Sequence, residues 1–415
     1  MGHKTPSKLK RLRSDRHSVR MDWQIWTLAF AQTLVWAGLY YLFPALLSHW
    51  EADLGFEKTT LALGLSLALV TSALLSPFAG HLIDRGYGRV LLTSSALAGA
   101  FNLCLLTQIE SWSAFLAVWV AIGCTMAGCL YDPCFAYLVK TRGDGARRAI
   151  TTVTLIAGFA GTVSFPVNTF IAESYGWRTA VWTFAGIIAF VAAPAMWRGT
   201  KLATSQQAIS DVLPVASRNG GGIRDAVCTR TFWLLSISFA LLYLNHGTVI
   251  THILPILDSR GVSLEQAVLA ASLLGPSQVF GRLIMVALEK KLSINAFGLI
   301  SIGFVVVAAL VLAFGASVFA GVLAFSVLQG MGIGMSSITR PVITAALMGT
   351  ASFGAIAGAI ATTVLLANAL APSSSSIIWS FGGYSLVLAV NIAVAIGSLV
   401  TLAAALAAPS STDRP

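Results

Sequence analysis

Residues 61–106 read LALGLSLALVTSALLSPFAGHLIDRGYGRVLLTSSALAGAFNLCLL. This stretch consists of two apolar runs, near residues 59–82 and 89–108, joined by a short segment that carries its charged residues. About 20 apolar residues of helix cross the roughly 30 Å of hydrocarbon in a bilayer. The stretch therefore predicts two membrane-spanning helices with a charged turn between them.

The same pattern recurs along the whole chain. Of its 415 residues, 56% are hydrophobic and only 10% are charged, and the mean hydropathy is +0.81. A soluble chain carries roughly 25% charged residues, so the composition excludes a water-soluble globule and an enzyme with a large soluble domain. We predict an all-α membrane protein with twelve spans, near residues 23–47, 59–82, 89–108, 113–138, 150–172, 178–197, 231–255, 264–287, 294–315, 317–339, 350–371 and 378–407.

Basic residues are distributed unevenly between the predicted connections. The N-terminal segment is rich in Lys and Arg and has no signal-peptide cleavage pattern. If this end is cytoplasmic, only Lys58, Arg178 and Arg260 fall on the outer side. This bias follows the positive-inside rule and predicts a multi-pass protein of the cell inner membrane with both termini cytoplasmic. Its net charge of +10 is expected to face anionic membrane lipid, not nucleic acid.

A polar segment divides the chain into two halves. It contains Gly220-Gly221-Gly222 and little hydrophobic periodicity, as in a flexible linker. Two six-helix bundles are typical of alternating-access transporters, whose binding site lies between the repeats near mid-membrane. The predicted organisation is a cytoplasmic tail at 1–22, a bundle at 23–197, a cytoplasmic linker at 198–230, a second bundle at 231–407 and a cytoplasmic tail at 408–415.

The connection GHLIDRGYGR at residues 80–89 resembles the signature loop of the major facilitator superfamily, with one additional residue before its last Arg. A Gly lets two helices approach, and an Asp at the membrane edge can accept hydrogen bonds from the positive end of a neighbouring helix. We expect the start of the eleventh helix, near Thr350 and Ser352, to supply that end. A solvated turn is the alternative. Conformational gating is predicted for Gly80, Asp84, Arg85 and Arg89.

A narrower resemblance covers the fourth to sixth helices. The motifs Tyr131-Asp132-Pro133, Arg147-Arg148, Gly158-Phe159-Ala160-Gly161 and Tyr175-Gly176-Trp177-Arg178 are similar to those of the monocarboxylate-porter and oxalate/formate-antiporter branch. The resemblance implies a small organic anion as substrate, moved by proton symport or anion exchange. Two groups that this branch often uses for proton coupling are missing, because Gln278 stands at an Asp position and the first helix has no Lys.

Three charged side chains are candidates for a position inside the bilayer, namely Asp132 and Arg282 within the predicted spans and Arg340 directly after one of them. An ionised group at the bilayer centre costs about 2.5–3.5 kcal/mol on insertion scales, so each needs a partner or a task. Arg282 is predicted to bind substrate, because a guanidinium can hold a carboxylate through two hydrogen bonds, and a similar Arg does so in the resembled branch. A gate or an interfacial anchor is the alternative. Asp132 is predicted to pair with Arg282 or an inner-loop Arg, with proton transfer as the alternative. Arg340 is predicted to extend towards water, with substrate binding as the alternative.

Uncharged polar side chains within the spans are candidates for lining a substrate cavity. Each could equally form a hydrogen bond between helices, and His246 could serve proton coupling. These candidates are Gln32, Tyr40, Tyr131, Asn168, Asn245, His246, Gln278, Gln329 and Asn368.

The sequence predicts no energy-coupling cofactor and no enzyme activity. The chain lacks a GxxxxGK[ST] nucleotide-binding loop, so ATP is not expected as the energy source. His246 and His252 are six residues apart and point about 120° away from each other on a helix, so no two-His metal site is predicted. We expect a monomer that transports a small-molecule substrate, with efflux of a drug or a trivalent metalloid as the alternative.

Overall fold

A computed structural model describes residues 22–56, 58–200, 223–316, 318–350 and 352–408. The predicted terminal tails and linker lie outside the described residues except at their edges. The described chain is helical almost throughout, and its long apolar helices confirm the predicted fold class. The first six are α1 Trp23–Leu54, α2 Lys58–Asp84, α3 Gly88–Leu106, α4 Trp112–Arg142, α5 Ala146–Tyr175 and α6 Trp177–Thr200.

The second half also consists of six long helices, which follow a short helix at Ile223–Val227. Its helices are α7 Arg230–Asp258, α8 Leu264–Ala287, α9 Ile294–Phe314, α10 Phe319–Met348, α11 at 353–381 and α12 at 384–407. The last two form one continuous run, Phe353–Ala407, with non-helical backbone at Gly382 and Gly383.

The turn between α11 and α12 lies later than the sequence predicts. The expected break at 372–377 is wrong, because its serines remain helical. Ser374 and Ser376 donate hydrogen bonds to carbonyls of the preceding turn, at 3.1 and 2.9 Å, so their hydroxyls are satisfied within the helix. The chain turns instead at Gly383, whose φ of +63° is a conformation that glycine adopts without strain.

Besides α5, which is interrupted at residues 158–159, and α6, which has a π-helical turn at Ile188–Ala192, two helices of the first half are irregular near mid-membrane. The helix α1 contains a π-helical turn at Ala37–Tyr41, and α4 breaks at Leu130, whose backbone is extended. Pro133 explains the break in α4, because it has no N–H for the carbonyl of Cys129. The side-chain amide of Gln32 donates to that carbonyl at 2.8 Å. The break is therefore satisfied by α1, as the low-dielectric interior requires.

The connections α2–α3, α4–α5 and α8–α9 lie at the same end of the bundle as the start of α1. We call this the basic end, because it carries Arg89, Arg147, Arg148, Lys290 and Lys291. Each half has its own buried side chains. Trp50 and Trp119 are fully buried in the first half, and Phe239 and Phe325 are buried in the second. The main hydrophobic core also extends across the boundary between the halves, since Met285, Met335 and Phe353 pack in it with side chains of the first half.

Candidate functional site

Arg282 of α8 is a buried cation at the boundary of the two halves. The residue is only 6% exposed. Nε donates to the carbonyl of Gly334 on α10 at 3.3 Å, and Nη1 donates across the boundary to the carbonyl of Thr154 on α5 at 2.9 Å. Among the described residues, no carboxylate pairs with it. Arg282 therefore brings an uncompensated positive charge between the halves, where an anion would be strongly attracted.

The local sequence of α5 makes room for this guanidinium. A Cβ added at Gly158 would lie 2.8 Å from Nη1 of Arg282. One turn further, a Cβ at Gly161 would lie 3.2 Å from the ring of Tyr41. Both contacts are closer than ordinary packing allows. The two glycines of the Gly158-Phe159-Ala160-Gly161 motif thus create the space that Arg282 and Tyr41 occupy.

Aromatic side chains surround Arg282 on the side of the first half. Tyr41 lies in the π-helical turn of α1, and Tyr131 is the first residue of α4 after its break. Both hydroxyls interact electrostatically with Arg282. Both tyrosines are half-buried, and their hydroxyls have no hydrogen-bond partner among the described residues. The irregular turns of α1 and α4 therefore present two free hydroxyls beside an unpaired cation.

The walls of this region are aromatic. Trp36 lies with its ring centroid 4.6 Å from that of Tyr131, and Phe135 stacks on Tyr131 at 5.0 Å. Tyr40 packs edge-on against Tyr41 at 5.1 Å. A site with one charged group, a few hydroxyls and apolar walls has the composition of a small-molecule pocket. Sequence analysis identified Tyr40 and Tyr131 and missed Trp36 and Tyr41, which are indistinguishable by spacing from core aromatics.

Asp132 and Arg340 form an ion pair between α4 and α10. Oδ1 of Asp132 lies 2.5 Å from Nη2 of Arg340, and the two side chains are 26% and 12% exposed. The guanidinium also lies 5.8 Å from the ring centroid of Tyr243 on α7. Asp132 thus pairs with neither Arg282 nor an inner-loop Arg, and Arg340 does not extend to water. These expectations were wrong because α4 and α10 face each other across the boundary. Each of the two charges therefore has the other as its partner and does not need Arg282, an inner-loop Arg or water.

Asp84 joins α2 to the first turn of α11 at the basic end. Its carboxylate accepts hydrogen bonds from the backbone N–H groups of Gly354 at 2.9 Å and Ala355 at 2.8 Å. Ser352, the residue before α11, makes no side-chain hydrogen bond to the start of this helix. Asp84 of the other half therefore takes the place of a capping side chain. The contact expected between Asp84 and this helix end is present.

Close approach of α2 and α11 depends on glycine. A Cβ added at Gly80 would overlap the carbonyl oxygen of Gly354, so no larger residue fits without moving the helices apart. Further towards mid-membrane, Thr362 donates to the carbonyl of Ala73 at 2.6 Å. Lys140 of α4 donates to the last carbonyls of α2, those of Ile83 and Asp84. The end of α2 is therefore held firmly against both of its neighbours.

The other two predicted gating residues, Arg85 and Arg89, make no hydrogen bond or ion pair with the described part of the other half. The guanidinium of Arg89 stacks on Trp197 of α6, with its carbon 3.3 Å from the ring centroid. Arg85 is exposed, and it makes no hydrogen bond with the described part of the other half. A direct gating contact is therefore absent for both among the described residues, and their role in gating remains a prediction.

A second contact between the halves involves α5 and the α8–α9 connection. Nε of Arg148 lies 3.6 Å from the carboxylate of Glu289. The guanidinium of Arg147 lies 5.2 Å from the ring centroid of Phe297. Sequence analysis assigned these residues no gating role. The signal was available, since the α8–α9 connection repeats the Gly-then-basic pattern of the α2–α3 connection.

Four of the predicted cavity-lining amides are buried between helices. Gln32, Asn168, Asn245 and Gln329 have no exposed surface. Besides the Gln32 bond, Asn168 donates to the carbonyl of Ser164 at 2.9 Å, and Gln329 donates to Oδ1 of Asn245 at 3.0 Å. The amide nitrogens of Gln32, Asn168 and Gln329 thus bond within the protein, whereas their buried oxygens have no hydrogen-bond partner among the described residues. Substrate contact by these four residues remains a prediction.

The remaining predicted lining residues keep some exposure. His246, Gln278 and Asn368 are half-buried, as are the two tyrosines of the list. Among the described residues, the side chains of His246 and Gln278 have no hydrogen-bond partner. They lie on α7, α8 and α11, so they belong to the half that also carries Arg282. These three side chains remain candidates for contact with a bound molecule.

The polar contacts between the halves share one location. Those of Asp84, Arg148, Arg282, Arg340 and Thr362 lie within about 17 Å of the basic end, as judged from a rise of 1.5 Å per residue. The structure is thus closed at the basic end. An opening movement at this end would break the contacts of Asp84, Asp132 and Arg282 together.

Comparisons with known proteins agree with this architecture. The family model described as Major Facilitator Superfamily matches residues 28–372, which is well over half of the chain. No curated protein matches the sequence. The crystal structure of the transporter FucP in the outward conformation is similar with a TM-score of 0.71 at 10% identity, covering 92% of this chain and 98% of that chain.

Two further solved structures have the same fold. The human organic anion transporter MFSD10 (TETRAN) is similar with a TM-score of 0.65 at 17% identity, covering 92% of this chain and 100% of that one. A variant of the E. coli Fucose:proton symporter FucP is similar with a TM-score of 0.68 at 10% identity, covering 92% and 98%. At these identities, the similarity shows the fold alone.

Proposed function

This chain belongs to the Major Facilitator Superfamily, and on that premise we propose that it is a secondary transporter of a small organic anion such as a monocarboxylate. Transport proceeds by alternating access, through proton symport or anion exchange. The site lies between the halves, around Arg282, Tyr41 and Tyr131. The protein resides in the inner membrane as a monomer, with its basic end in the cytoplasm.

The unpaired charge of Arg282 is the observation that carries this proposal. A buried cation without a carboxylate partner is costly, and here its two hydrogen bonds go to neutral carbonyls. A bound carboxylate would neutralise it and accept two parallel hydrogen bonds from its guanidinium. We expect the free hydroxyls of Tyr41 and Tyr131, both under the electrostatic influence of Arg282, to donate to the same anion.

The choice of an anion rests on this site and not on the fold. Among the similar structures, one protein is described as an organic anion transporter and another as a Fucose:proton symporter, so this fold accommodates both anionic and neutral cargo. The resemblance of the Tyr131–Arg178 segment to the monocarboxylate-porter branch supports the anionic alternative.

Uptake by reconstituted protein tests the proposal. Wild type, Arg282→Lys and Arg282→Ala are compared in liposomes with labelled monocarboxylates. We expect Arg282→Ala to abolish uptake and Arg282→Lys to weaken it, because an ammonium cannot form the bidentate contact. Arg260→Ala is the matched control, since Arg260 binds the carbonyl of Ala313 away from the site.

Unchanged uptake in both Arg282 variants would overturn the carboxylate site. If no organic acid is taken up by wild type, but cells lacking the protein become sensitive to a drug or to a trivalent metalloid, efflux would replace uptake as the function.

A further inference from the structure

Three intramembrane charges belong to one cluster between the halves. Arg282 bonds the carbonyl of Gly334 on α10, and Arg340 lies six residues further along the same helix, about 9 Å at 1.5 Å per residue. Tyr131 interacts electrostatically with Arg282 and with Tyr243, and Tyr243 lies against Arg340. We call Asp132, Arg282 and Arg340 the charge cluster.

The two halves contribute opposite charges to the charge cluster. Both cations come from the second half, on α8 and α10, whereas Asp132 comes from the first half, on α4. Because Asp132 neutralises Arg340, the cluster keeps a single net positive charge, on Arg282. His246, Cys134 and the half-buried tyrosines are the other titratable groups described in this region.

We propose that Asp132 determines the charge of the transported anion. By occupying Arg340, Asp132 leaves a site that one carboxylate neutralises, and a second carboxylate on the same molecule would meet no free cation. Asp132 is thus a specificity-determining residue that selects monocarboxylates against dicarboxylates. This inference rests on the proposed function, because it presumes that Arg282 binds the anion.

The size of the effect is scaled to the axial offset of about 9 Å between Gly334, which Arg282 contacts, and Arg340. At an effective dielectric constant near 20, a unit charge roughly 10 Å away changes the affinity for an opposite charge by about tenfold. Freeing Arg340 therefore adds one strong attraction for the second carboxylate of a dianion. A monoanion gains this attraction for one charge and a dianion for two, so the ratio of their affinities changes by about tenfold.

Binding of lactate and malonate to purified protein provides the test, since the two have similar size and differ in the number of carboxylates. Affinities are measured by calorimetry at about pH 8, where imidazole is neutral, for wild type, Asp132→Asn and Asp132→Glu. We expect wild type and Asp132→Glu to prefer lactate. The malonate-to-lactate affinity ratio should rise about tenfold in Asp132→Asn.

A double variant separates charge from folding. Asp132→Asn leaves Arg340 without its partner, which destabilises the protein, whereas Asp132→Asn with Arg340→Gln removes both charges. We expect the double variant to recover the lactate preference of wild type. A ratio that stays unchanged in Asp132→Asn, or that stays raised in the double variant, would overturn the inference.

The outcomes also separate this inference from the proposed function. If wild type binds lactate and Arg282→Ala does not, the anion site stands whatever Asp132 does. If Asp132→Asn loses only proton-driven uptake and keeps its affinity ratio, Asp132 is a proton carrier and the inference fails alone. If neither anion binds to wild type, the proposed function itself fails.

Discussion

The carboxylate of Asp84 on α2 caps the backbone of Gly354 on α11, with 2.9 Å between Oδ1 and the Gly354 nitrogen. The contact places a negative charge at the positive end of a helix dipole and links residues 270 positions apart. Gly80, one turn earlier on α2, faces the same backbone. Charge and close packing therefore act together to keep the basic end closed.

Asp84→Asn should shift the protein towards a conformation open at the basic end. Asparagine keeps one acceptor but turns an N–H towards a helix terminus that donates only N–H groups. Loss of a helix cap costs about 1 kcal/mol, which corresponds to roughly a fivefold change in the conformational equilibrium. Distances between spin labels across the basic end would measure the shift.

Asp53→Asn is the control for this comparison. Asp53 accepts hydrogen bonds from Trp177 and Arg178 of its own half, so its loss should leave the equilibrium between the halves unchanged. Equal shifts in the two variants would show that Asp84 has no specific role in closure.

Gly80→Ala should prevent closure of the basic end more completely than Asp84→Asn does. The added Cβ overlaps the carbonyl of Gly354, and backbone cannot move aside as a flexible side chain can. We expect transport to fall at least tenfold while the protein remains folded. Gly186→Ala is the matched control, because nothing lies within 4 Å of the added Cβ there. Full transport by Gly80→Ala would contradict a tight α2–α11 contact.

Gly158→Ala should weaken anion binding without destabilising the fold. The new methyl group lies 2.8 Å from Nη1 of Arg282 and displaces the guanidinium from the Thr154 carbonyl. We expect the Michaelis constant for uptake to rise several-fold while the melting temperature changes little. Gly303→Ala, with open space around its added Cβ, should behave like wild type. A lowered melting temperature with unchanged affinity would place Gly158 in packing alone.

Gln32→Leu should destabilise the protein and leave substrate affinity intact. The substitution leaves the buried carbonyl of Cys129 without its donor, which costs about 1–3 kcal/mol. Thermal unfolding in detergent would show the loss. Gln278→Leu should show the reverse, because Gln278 is half-buried with no described partner. A change in substrate affinity for Gln32→Leu would make Gln32 a lining residue.

Arg148→Ala should have a smaller effect on closure than Asp84→Asn. The Arg148–Glu289 pair is 3.6 Å apart, and the Arg148 side chain is 68% exposed. Exposed ion pairs contribute about 0–1 kcal/mol and weaken with salt. The same spin-label distances should therefore change less in Arg148→Ala than in Asp84→Asn. The difference between Arg148→Ala and wild type should vanish in high salt. An effect exceeding that of Asp84→Asn would make the Arg148–Glu289 pair the main contact that holds the basic end closed.

The sequence by itself determined the spans, the two halves and the end of the bundle that carries the basic connections. These follow from local quantities, since about 20 apolar residues must cross the hydrocarbon wherever they occur and a charge inside it is costly. The same local character explains the error at α11–α12. Serines within a helix and serines in a turn look alike in sequence, and only the hydrogen bonds of Ser374 and Ser376 distinguish them.

Only the tertiary structure decided which polar groups meet. Asp132 and Arg340 are 208 residues apart, and no spacing rule connects them. Gln32 is buried because the broken helix α4 frees a carbonyl beside it, whereas Arg282 keeps its charge unpaired because the groups nearest to it are carbonyls and tyrosines. Hydrophobic length is a property of one segment, but the partner of a buried charge depends on which segments pack against each other.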